Sequence, residues 1–111
     1  MKMVTAIIRP AKLDDVIDAL EVLGANKLTA TEVRGIGRGT AARAQADDVS
    51  TIAPAEEIEI EVAVTNDLLQ QVLVTLRAAA RTGKPGDGKI IVTTLDSATR
   101  IRNGTKGEEA L

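Results

Sequence analysis

The 111-residue chain contains no cysteine and no histidine. Thiolate nucleophiles, disulfides, Ser-His-Asp triads and Cys/His zinc sites are thereby excluded, and any chemistry falls to lysine, arginine, carboxylates, hydroxyls and backbone. Phenylalanine, tyrosine and tryptophan are absent too, which removes the platforms on which single-stranded nucleic acids stack. With a formal net charge of −2, nucleic acid is not an expected partner. No apolar run approaches the roughly 20 residues of a membrane span, and Met1 leads into a strand pattern rather than a signal peptide. The expectation is a cytoplasmic protein with no membrane insertion, folded as one domain over residues 1–111 around a core of Leu, Ile, Val, Ala and Met.

What the chain does have is glycine in two dense stretches. From Gly83 the sequence GKPGDGK fits the first seven positions of the P-loop pattern G-x-x-x-x-G-K, but Ile90 then stands where a Ser or Thr would hold magnesium. The context also differs, because a helical pattern precedes this stretch and a strand pattern follows it. It is not a Walker A site. Successive small residues can still turn backbone N–H groups toward an anion and leave room for a lysine. Equally, Gly83 as a helix C-cap, Pro85 behind it and Asp87-Gly88 as turn residues describe a plain helix-to-strand turn.

Periodicity divides the rest. Lys2 to Ile8 reads as strand one, stopped at Arg9-Pro10. Leu13, Val16, Ile17, Leu20 and Leu23 keep helical spacing, Asp14 and Asp15 suit the first turn, and Gly24 closes the helix. Leu28 to Ile36 is strand two, running into GIGRGT, and residues 40–55 show no sustained period and read as a long loop. The alternation from Ile58 to Val64 marks strand three, with one apolar and one partly acidic face. Asn66 is placed to cap a second helix carrying Leu69, Val72, Leu73, Leu76 and Ala80 on one side. Lys89 to Thr94 is strand four. The order, β-α-β, loop, β-α-β, predicts an α+β ferredoxin-like sandwich, a four-stranded antiparallel sheet with both helices on one face. Strands two and four are apolar enough that a large apolar second face is expected to lie open in a monomer, which predicts self-association.

Charge is unevenly placed. Residues 47–61 hold six acids and no base, whereas residues 81–102 hold five bases against two acids. Such runs are usually solvated faces. The alternative is that Lys89, Arg100 and Arg102, the two arginines on one side of an extended segment, converge on a polyphosphate.

The opening MKMVTAIIRPAKLDDVIDAL, the TATEVRGIGRG segment, TGKPGDGKI and the RIRNG tail resemble the PII signal-transduction family in order and spacing. The resemblance covers nearly the whole chain and departs strongly only at residues 40–57. It implies a ferredoxin-like homotrimer that binds ATP or ADP, with magnesium accompanying ATP, in clefts between subunits. It also implies that a long T-loop (about residues 37–57) regulates a partner such as a membrane transporter or an enzyme. By resemblance Gly86, Asp87, Gly88 and Lys89 belong to the phosphate-holding B-loop (82–89), with Gly35, Gly37 and Arg38 opposite. Arg100 and Arg102, in the tail 96–111, would come from the neighbouring subunit, Thr29 and Glu61 would frame the adenine, and Ile7 and Ala63 would be apolar wall. Members that sense 2-oxoglutarate carry a glutamine and a lysine where this chain has Gly39 and Glu57, and the family's modifiable tyrosine is missing. An ATP-hydrolysing enzyme and an inert scaffold with this skeleton are the competing readings. GDGK offers an enzyme one carboxylate and no partner Ser or Thr for magnesium.

Overall fold

The computed structural model describes residues 1–37 and 54–111. Strands β1 (Lys2–Ile8), β2 (Leu28–Gly35), β3 (Ala55–Val64) and β4 (Lys89–Thr94) form one sheet in the order β2-β3-β1-β4. All three neighbouring pairs are antiparallel. Helix α1 (Leu13–Val22), entered through a 3₁₀ turn at Pro10–Lys12, and helix α2 (Asn66–Ala80) make up the second layer. The expected ferredoxin-like α+β fold is therefore present.

Register explains the layering. Val4, Ala6 and Ile8 of β1 share a face with Ile58, Ile60, Val62 and Val64 of β3, and all are buried. Val16 and Leu20 of α1 and Val72, Leu76 and Ala80 of α2 close the same core. Each fully buried Leu or Ile contributes roughly 1.5–3 kcal/mol of burial free energy, so a core without aromatics still suffices for the domain. Helix α1 ends in a Schellman motif: Gly24, at φ +80°, donates to the Glu21 carbonyl (2.9 Å) and Ala25 to that of Leu20 (3.0 Å).

The opposite face is mixed. Met3, Ile7, Ala63 and Ile91 alternate there with threonines and with Glu57, Glu59 and Glu61, because the period of two that buries the isoleucines of β3 puts its acids outside. It is less apolar than the sequence suggests.

Several boundaries differ from those expected. β3 begins at Ala55, opposite Gly35, so Glu56 and Glu57 lie within the strand instead of in the T-loop span 37–57; pairing with β2 recruits them despite their polarity. Thr65, in extended conformation, occupies the N-cap of α2, while the Asn66 side chain accepts from the Met1 ammonium at 3.1 Å. Arg81, not Gly83, is the C-cap.

Candidate functional site

Antiparallel pairing brings the C-terminal ends of β1 and β2 and the N-terminal ends of β3 and β4 to one edge of the sheet. The loop entering β4 lies there. Its first turn is organised by Asp87, whose carboxylate accepts from the backbone N–H of Thr82 (2.9 Å) and of Gly83 (2.8 Å) and from the Thr82 hydroxyl. Arg9, just beyond β1, donates through Nε to Asp87 at 3.0 Å and through Nη2 to the Pro85 carbonyl at 2.7 Å. The hydroxyl of Thr82, helped by Arg9 and the two amides and opposed by burial, holds the Asp87 carboxyl well below the usual carboxylate range. Asp87 is thus committed to shaping the loop.

Gly88 explains the following glycine. Its φ is +97°, and a Cβ there would stand 1.7 Å from the Ile7 carbonyl oxygen. Only a residue without a side chain lets the loop backbone lie against the end of β1.

Beside this loop opens a cleft of about 480 Å³ lined by Ile7, Gly35, Ile36, Gly37, Glu57, Lys84, Gly86, Asp87, Gly88 and Lys89. It gathers Ile7, Gly35, Gly37, Gly86, Asp87, Gly88 and Lys89 from the expected set. Thr29 and Glu61 are paired across β2 and β3, and Ala63 pairs with Met3. All three occupy the open face, further from the cleft. Arg38 lies outside the described residues, as do Gly39 and most of the expected T-loop.

Arg102 is exposed and Arg100 half-buried in a tail that closes on itself. Arg100 receives the Gly104 N–H and donates to Thr105, both at 2.8 Å, and its guanidinium reaches the Glu109 carbonyl at 2.7 Å. Neither arginine lines the cleft of its own chain. A glycine-rich wall with two lysines fits an anionic, phosphate-bearing ligand. Among the described residues no group of three acids is placed to hold a metal by itself. The cleft carboxylates among the described residues are Glu57 and Asp87, and Asp87 is engaged by Arg9.

Sequence reasoning missed Arg9 and Thr82. Each is an ordinary polar residue beside a strand stop or a glycine, and only the chain's return brings Arg9 and Asp87, 78 residues apart, together.

Residues 1–105 match the family described as Nitrogen regulatory protein P-II. The chain is 42% identical over 114 residues to the nitrogen regulatory protein P-II of Rhizobium etli, and 44% identical over 113 residues to the nitrogen regulatory protein GlnK of Escherichia coli K12. A P-II protein of Azospirillum brasilense is 40% identical over 114 residues. Each comparison covers 100% of both chains, and each relative is named as a regulator rather than an enzyme. The fold, the order of the glycine-rich segments and this full-length similarity together make the chain a member of the nitrogen regulatory P-II family of signalling proteins.

Proposed function

We propose that the protein acts as a homotrimeric P-II regulator. It binds ATP or ADP at clefts between subunits and passes the state of those clefts, through the loop after β2, to a target protein such as a transporter or an enzyme. The observation that carries this reading is the cleft itself, in which Gly86, Gly88 and Lys89 face Gly35 and Gly37 across the end of β1. Lys84 and Lys89 supply positive charge, and Arg100 and Arg102 complete the phosphate site from an adjacent subunit. That role suits their absence from the cleft of their own chain. Ile7, Ala63, Thr29 and Glu61 line the path of the adenine along the open sheet face. The protein lacks the family's response to 2-oxoglutarate, since Gly39 has no side chain and Glu57 presents a negative charge toward an incoming dianion.

Calorimetry with ATP and ADP, paired with light scattering, tests the reading. The expected results are a trimer mass, saturable binding of at least one nucleotide, and a loss of about tenfold or more in affinity for Lys89→Ala, in line with one charge-assisted hydrogen bond. No heat with 2-oxoglutarate is expected when ATP and magnesium are present. A monomer without nucleotide binding would overturn the reading.

A further inference from the structure

A second cavity lies behind the loop entering β4, on the helix side of the sheet. Ile90 pairs with buried Ala6, and Ile8 is itself buried, so both stand on that side. The last turn of α2 passes over them with Leu76 and the small Ala80, and a space of about 360 Å³ remains between the helix and the strand ends. That volume falls at the lower end of the range for small-molecule sites. Gly88, held against the Ile7 carbonyl, borders both this cavity and the cleft on the open face.

The rim is cationic. Arg77 and Arg81, one helical turn apart, line it with Lys89, and the lining carboxylate, Asp87, is already engaged by Arg9 and Thr82. Among the described residues no carboxylate lies within ion-pair distance of Arg77, Arg81 or Lys89. Arginines at a helix C-terminus also offset its partial negative charge, but that charge is only about half a unit. Two guanidiniums therefore leave a positive surplus beside an apolar floor. Ile8, Leu76, Ala80 and Ile90 give that floor no hydrogen-bonding side chain, so a wholly polar anion would leave it unfilled.

We propose that this cavity binds a small amphipathic monocarboxylate, its apolar body against the floor and its carboxylate at Arg77 and Arg81. Burial of methylenes supplies most of the affinity, and the guanidinium forks fix the orientation. The site is separate from the nucleotide cleft and stands without the nucleotide reading.

The test titrates sodium octanoate, below its micelle concentration, into the full-length protein and follows methyl and amide NMR signals. Saturable shifts of Ile8, Leu76, Ala80 and Ile90 are expected, with a Kd of about 1 mM or tighter. The double variant Arg77→Gln/Arg81→Gln should bind octanoate about fivefold more weakly or worse, while neutral octanamide should bind wild type and variant alike. Ala80→Leu, which fills the floor, should lose octanoate with both arginines in place. Circular dichroism checks that each variant is folded, and the arginine variant decides the matter if Ala80→Leu is not. The proposal is overturned by any of four results: no saturable shift, shifts confined to Gly35, Gly37 and Gly86 of the nucleotide cleft, equal octanoate affinity with and without the arginines, or the same loss for octanamide.

Discussion

Gly88 and Gly35 show how unlike two glycines of one cleft can be. At Gly88 a methyl group would overlap the Ile7 backbone oxygen, and positive φ adds strain of its own. At Gly35 a methyl group would meet only the far end of the Glu57 side chain, which can swing away, and β2 is extended there. We therefore expect Gly88→Ala to destabilise the fold by more than about 3 kcal/mol and Gly35→Ala to cost about 1 kcal/mol or less. Urea unfolding followed by far-UV circular dichroism measures both. Equal losses would mean that the loop and β1 are not in contact as described. The sequence marks both glycines as part of a loop but cannot rank them, since the rank depends on which backbone each one touches.

At the scale of elements, strands and helices were legible because their apolar periods are clean: Ile58, Ile60, Val62 and Val64 alternate, and Val72, Leu76 and Ala80 keep helical spacing. The extension of β3 back to Ala55 was not legible, because Glu56 and Glu57 enter the strand through pairing with β2 rather than through burial. The glycines mark a loop before β4 and leave its role open, and the fastening of its first turn depends on Arg9, which its sequence neighbourhood does not betray. That fastening has a pH signature. Because folding depresses the Asp87 pKa, its stabilising effect is complete above the unfolded value near 4 and is lost only as pH falls through the lower folded value. Amide resonances of Thr82 and Gly83 should stay unshifted in wild type down to about pH 3. In Thr82→Ala, which removes the largest contribution, they should titrate closer to pH 4. Identical profiles would show that the hydroxyl does not hold the carboxylate.

For the whole molecule, the cleft sits directly on the core with no layer between. At the end of β1, the Ile8 side chain is buried among the helices while that of Ile7 lines the cleft, and the Ile7 carbonyl abuts Gly88. A ligand there braces the same strand that the core depends on. Occupancy should therefore be readable as heat resistance, a quantity that needs no knowledge of the target protein. At a ligand concentration about 100 times Kd the linkage gain is about 2.7 kcal/mol, which for a domain of this size raises the melting temperature by roughly 10 °C. The chain has no tryptophan or tyrosine to fluoresce, so melting has to be followed by circular dichroism or an added dye. That silence is useful, because an unlabelled target protein mixed with this one would supply the only intrinsic emission in the cuvette.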